Sequence, residues 1–161
     1  MKNKIYLVLT SIIFFHFINY GQNENKVKII DDGYTKIPNT NIYAKIPENF
    51  KIRDKNVTMI KKDKNTYILF IKKKQNYFNQ AKVFDYSIFE NNKSKVIEHY
   101  DLKINGYPAK YIGVIKNGMK MNMFIFGNEK FFITVVAMNE AGDNENEKII
   151  KNIIFNLKYV D

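Results

Sequence analysis

The chain contains no cysteine and no tryptophan, one arginine, three prolines and two histidines among its 161 residues. Without cysteine there is no disulfide framework, no thiolate metal ligand and no lipid-bearing N-terminal thiol, so stability has to come from packing. Histidine is nearly as limiting. His16 lies in an apolar N-terminal run, which leaves His99 alone in the body of the chain, and one histidine does not make a two-histidine zinc site. Beyond residue 21 the only serines are Ser87 and Ser94, neither in a Gly-x-Ser-x-Gly setting, which removes the usual serine-hydrolase signature. Neither Gly-x-Gly-x-x-Gly nor Gly-x-x-x-x-Gly-Lys occurs, so phosphate-cradling loops are absent from the sequence.

Several weaker patterns also dissolve on inspection. Asp143, Glu145 and Glu147 stand two apart as in a calcium loop, but Lys148 and Ile154 occupy the places of its glycine and its final acid. Acids at a helix N-terminus account for them. Asp31-Asp32 and the Glu98/Asp101 pair supply carboxylates for acid–base work, yet nothing in the sequence brings either pair together across a substrate. His99, between Glu98 and Tyr100, reads as an edge or surface position. The chain is therefore expected to be no enzyme and to hold no cofactor.

What is present begins at the N-terminus. Lys2 and Lys4 form a positive head, Ile5 to Ile18 is an uncharged apolar run, and Asn19-Tyr20-Gly21 turns polar and ends on a small residue. That order is read by signal peptidase, so residues 1–21 are expected to be a signal peptide cleaved between Gly21 and Gln22. The run is shorter than the about 20 residues a spanning helix needs, and if uncut it becomes an anchor. Residues 22–36 form a polar leader, and residues 37–161 are expected to make one exported domain, periplasmic or extracellular. Loss of Lys2 and Lys4 lowers the formal charge from +10 to +8. Lysine carries nearly all of it. Nucleic-acid readers favour the planar fork of arginine, so this charge points to an anionic envelope component or acidic protein, with peripheral membrane contact, and not to nucleic acid.

Local patterning indicates an α+β domain. Asn41 to Ile46 alternates polar and apolar residues, and Thr66 to Ile71 is rich in β-formers. Tyr77, Ala81, Phe84 and Ile88 recur at helical spacing, which predicts one helix over 76–90. Asn117-Gly118 tolerates the positive φ angles of a type I′ turn, so residues 109–116 and 119–126 should form a tight hairpin. Asn105-Gly106 and Gly127-Asn128 mark further turns, and Phe131 to Met138 adds a strand. Ile149, Ile150, Ile153, Ile154 and Leu157 then lie on a helical stripe, with Asn144 as its expected cap and Glu147 completing a capping box.

Ile46-Pro47-Glu48-Asn49-Phe50, Leu102-Lys103-Ile104-Asn105-Gly106-Tyr107-Pro108-Ala109, the strand from Phe131 and the final helix together resemble the PsbP-like group. That group includes an extrinsic photosystem II subunit, a Ran-binding import factor and bacterial envelope proteins. The resemblance, over about residues 40–158, implies an antiparallel sheet with helices packed on its faces, an α/β/α sandwich, and a binding or assembly role. An immunity protein against a secreted toxin is an alternative binding role. Lys72, Lys73, Lys74, Tyr107 and Tyr111 are the candidate contact residues for an unknown protein or anionic envelope partner. Met119-Lys120-Met121-Asn122-Met123 carries the sharpest chemistry, because alternate strand residues share a face and Met119, Met121 and Met123 could grip Cu(I) through their thioethers. The competing reading makes the same methionines flexible core filler.

Overall fold

A computed structural model describes residues 29–30, 33–54, 58–90 and 94–160. The proposed signal segment lies outside them. Among the described residues eleven strands fall into two antiparallel sheets. The smaller sheet joins β1 (Ile29–Ile30), β2 (Tyr34–Lys36), β3 (Ile42–Lys45) and β11 (Lys158–Tyr159) in that order. The larger runs β4 (Lys51–Asp54), β5 (Thr58–Lys61), β6 (Tyr67–Lys73), β10 (Phe132–Glu140), β9 (Met119–Gly127), β8 (Tyr107–Lys116) and β7 (Lys95–Ile104).

Turn chemistry explains the meander. Asn105 and Gly106 have φ of 49° and 80°, and Asn117 and Gly118 have 52° and 74°. Two successive positive φ values are those of the type I′ turn, whose twist matches that of the strands it joins. Both turns set the registers on either side, so Tyr111 faces Phe124, which in turn faces Val135 and then Phe70 across four neighbouring strands.

One face of the large sheet carries the main core. Phe70, Tyr111, Phe124, Phe126, Ile133 and Val135 are buried there against Ile42 and Ala44 of the small sheet, Ile37 just after β2, and α3 (Asn144–Phe155). Ile150, Ile153 and Ile154 of α3 are buried, as their spacing requires. Its cap is Asp143 and not Asn144. The Asp143 carboxylate accepts from the Asn146 N–H at 3.0 Å and from its side-chain amide at 2.6 Å, so Asn144 becomes the first helical residue. A carboxylate outbids an amide here because it adds charge at the positive end of the helix dipole.

Among the described residues the opposite face is covered by two short helices, α1 (Tyr77–Ala81) and α2 (Ser87–Glu90). The single helix expected over 76–90 is therefore a correction. Asn76 caps α1 by accepting from the N–H groups of Phe78 and Asn79, and Asp85 then takes the Ser87 N–H at 2.9 Å and restarts the chain as α2. An aspartate that bonds two residues ahead competes with helix continuation. The apolar stripe still works across the break, since Tyr77, Ala81 and Phe84 pack on Ile125 and Phe132, and Phe84 and Phe89 pack on Met123 and Val136. A second correction concerns the leader. Residues 29–30 and 34–36, placed by sequence before the domain, pair as β1 and β2, and β2 in turn pairs with β3, with Tyr34 opposite Lys45 and Lys36 opposite Tyr43.

Candidate functional site

Polar groups converge between the large sheet and α3. Tyr111 lies on β8 and projects toward the helix, with its hydroxyl 2.6 Å from the Glu98 carboxylate and 2.7 Å from the Asn122 amide oxygen. Gly113, two residues on, makes this possible: a Cβ there would stand 2.6 Å from the Tyr111 hydroxyl and 2.9 Å from Glu98 Cγ. Lys120 Nζ donates to Glu147 at 2.6 Å and to Glu98 at 3.3 Å. Lys151 Nζ lies 2.9 Å from Glu147, one helical turn back, and 3.3 Å from Glu98. Its ammonium also sits 5.4 Å from the centre of the Tyr111 ring. Behind this cluster the fully buried Asn122 donates to Asn139 at 3.4 Å, and Asn139 donates to the carbonyls of Glu140 and Asp143. Among the described residues no buried side-chain nitrogen or oxygen lacks a partner.

The electrostatics follow from this geometry. Burial is the largest single influence on Glu98 and on Glu147, and it opposes their ionisation. The hydrogen bonds from Tyr111, Lys120 and Lys151 and the charges of the two lysines together outweigh it, so both carboxyls end below the ordinary 4.5. Burial likewise works against the Lys151 charge, but Glu147 and Glu98 win and lift it above its ordinary 10.5. Tyr111 is pushed well above 10.0 by burial and then by the neighbouring Glu98 carboxylate. Lowered carboxyls add stability that is complete above their unfolded value and is lost as pH falls through the folded one. The raised lysine and phenol add stability that is complete below their unfolded values and is lost as pH rises. Unfolding midpoints in urea should accordingly show a plateau from about pH 5 to about pH 10 with a fall on each side. Glu147→Gln should flatten the acid limb, and a midpoint still rising below pH 4 in the unaltered protein would contradict the scheme.

The candidate contact residues separate in space. Tyr111 is 1% exposed, so it belongs to the interior network and not to a surface; its correction follows from strand parity, which turns it toward α3. Lys72 and Tyr107 lie instead at one end of the large sheet. Lys72 Nζ donates to the Tyr159 hydroxyl at 3.0 Å and sits 5.1 Å and 5.7 Å from the ring centres of Tyr159 and Phe131. Tyr159 stacks on Phe131 at 4.3 Å, and Tyr107 meets both rings edge-on. Lys73 and Lys74 continue from this aromatic platform into solvent, and Lys103, Lys130 and Lys158 are exposed at the same end. No carboxylate among the described residues forms an ion pair with these lysines. Tyr159 and Phe131 were not singled out by sequence, because the pairing of β11 with β3 that brings Tyr159 here leaves no local trace.

The remaining features fall elsewhere. His99 is exposed on the edge strand β7 and stacks on Tyr86 with ring centres 4.2 Å apart. Among the described residues no three His, Asp or Glu side chains are grouped to hold a metal ion, and no helix is long and apolar enough to cross a membrane. Met123 is 3% exposed in the cluster beneath α2, whereas Met119 and Met121 are half-buried on the same face.

No family model and no curated protein sequence matches the chain. Solved structures do. The chain superposes on the solution structure of cyanobacterial PsbP (CyanoP) from Synechocystis sp. PCC 6803 with a TM-score of 0.54 at 8% identity, over 89% of this chain and 99% of that one. A crystal structure from Bacteroides thetaiotaomicron matches with a TM-score of 0.54 at 12% identity over 80% of this chain. The match spans 49% of that second protein. With its antiparallel seven-stranded sheet flanked by helices on both faces, the chain has a PsbP-like fold.

Proposed function

We propose that this domain is an exported, non-enzymatic binding module of the cell envelope, and that its basic end meets an acidic protein or another anionic envelope component. The carrying observation is the contrast between two groups of charges. Glu98, Glu147, Lys120 and Lys151 neutralise one another inside the molecule, while Lys73, Lys74, Lys103 and Lys130 stand exposed at the end of the large sheet where Lys72 meets its aromatic platform. Acid–base catalysis by two carboxyls requires environments that push their pKa values apart. Here both are pushed down, so neither is held as a proton donor at neutral pH. A group of exposed cations at one end instead favours association with a complementary anionic surface, steering encounter and setting register. The N-terminal signal pattern supports an encounter outside the cytoplasm.

The test is capture of a partner from native envelope at low and high salt, using the protein and a Lys73→Glu/Lys74→Glu variant. Capture should fall at least about tenfold with the charge reversal and with salt, as expected for an electrostatic surface contact. A partner retained equally under all conditions would overturn the basic-end reading. If anionic vesicles bind the protein as well as the extract does, the component is lipid.

A further inference from the structure

Every methionine from β2 onward lies on one face of the large sheet. Met59 of β5 is opposite Leu69, Leu69 is opposite Val136, and Val136 is opposite Met123, which makes one row across four strands. The next row, two residues along, runs Tyr67, Met138, Met121 and Val114. The row after that holds Glu140, Met119 and Lys116. A displacement of two residues keeps a side chain on the same face, so all five thioethers share the face opposite α3. The short helices α1 and α2 bury Met123 at one end of it, while Met59, Met119, Met121 and Met138 are only half-buried.

We propose that Met119, Met121 and Met138 form a Cu(I) site. Directly opposed residues of an antiparallel pair have Cβ atoms about 4.5–5.5 Å apart, which brings the Met121 and Met138 side chains within reach of one small cation. Met119 follows at about 6.8 Å along β9, a gap that the three rotatable bonds of methionine close. The Tyr67 hydroxyl donates to Met138 Sδ at 2.6 Å, which fixes that sulfur on the face and leaves its second lone pair for a metal.

Selectivity comes from softness rather than charge. Glu140 and Lys116 flank Met119 with opposite charges; Lys61, opposite Tyr67, and His99, opposite Ile112, stand on the outer strands of the other two rows, and between them the row positions are apolar apart from Tyr67. Thioethers bind soft monovalent copper, whereas hard and borderline dications need oxygen or nitrogen donors that this face does not group together. Sequence alone nominated Met123 as the third ligand. The register replaces it with Met138, from a different strand and 15 residues further on.

The site is independent of the basic end, and its test is separate. Under anaerobic, reducing conditions the protein is titrated against a chromophoric Cu(I) chelator. It should withdraw one equivalent of Cu(I), with affinity reduced at least about tenfold in Met121→Leu/Met138→Leu and unchanged in Met59→Leu. Leucine nearly matches methionine in volume, so these variants should keep the fold. In the unaltered protein carrying labelled methionine methyl groups, the Met119, Met121 and Met138 resonances should move with Cu(I) or its redox-inert mimic Ag(I) while Met59 stays. No withdrawal by the protein, equal binding by all variants, or shifts shared by Met59 would each overturn the proposal.

Discussion

Gly113→Ala is expected to destabilise the domain by about 2–4 kcal/mol, the range of an overpacked core position with a broken polar contact added. The new methyl would stand 2.6 Å from the Tyr111 hydroxyl and 3.2 Å from its Cζ. A loose side chain would move away, but this one is held on every side. Its ring lies 4.7 Å from that of Phe124 and 4.8 Å from that of Tyr100, and its hydroxyl is bonded to Glu98 and Asn122. Escape therefore breaks the hydrogen bonds and leaves a partly buried carboxylate short of a donor. The clash predicts its own rescue. In a Tyr111→Phe background the closest atom is gone, so Gly113→Ala should cost at least about 1 kcal/mol less there than in the unaltered protein. Additive urea-unfolding free energies for the two substitutions would refute the contact as the cause.

Phe124→Ala should cost about 3–5 kcal/mol, the range for deleting a fully buried aromatic ring. Phe124 is central to the main core, opposite Tyr111 on one side and Val135 on the other, with Phe155 of α3 meeting it edge-on at 6.0 Å. Strands on both sides are fixed by their ladders, so the cavity has little means of collapse. A domain of this size has about 5–15 kcal/mol in total, and a loss on this scale should shift the urea midpoint enough to populate unfolded chains at 37 °C. A measured loss below about 1.5 kcal/mol would mean that the sheet and α3 close over the gap.

How much of this was legible in the sequence depends on the range of the interaction concerned. The hairpins were readable because Asn105-Gly106 and Asn117-Gly118 encode their turn within two residues. The α3 stripe was readable because Ile150, Ile153 and Ile154 repeat at helical spacing. The break at Asp85 was missed since apolar periodicity is blind to a side chain that bonds its own backbone. The four-stranded sheet was missed for a different reason. Its strands are two to four residues long, and β11 joins β3 from more than a hundred residues away. In the polar network only Glu147 and Lys151 were within helical reach of each other; Glu98, Lys120 and Tyr111 meet them through tertiary pairing. Lys72 to Lys74 were visible as a charge run, but the rings that hold Lys72 come from β11 and the residue before β10.

The pairing of β11 with β3 also governs when folding can finish. A chain delivered N-terminus first presents β2 and β3 early, and the β7 to β10 meander can form from neighbours in sequence as it emerges. The small sheet stays one strand short until Lys158 and Tyr159 arrive, and the Lys72 side chain waits for the same tyrosine. Closing that loop adds an entropic cost that grows slowly with its length, and it waits for β11. For the export proposed above, in which a polypeptide stays unfolded while it is threaded through a membrane, this topology withholds completion of the small sheet until Lys158 and Tyr159 are through.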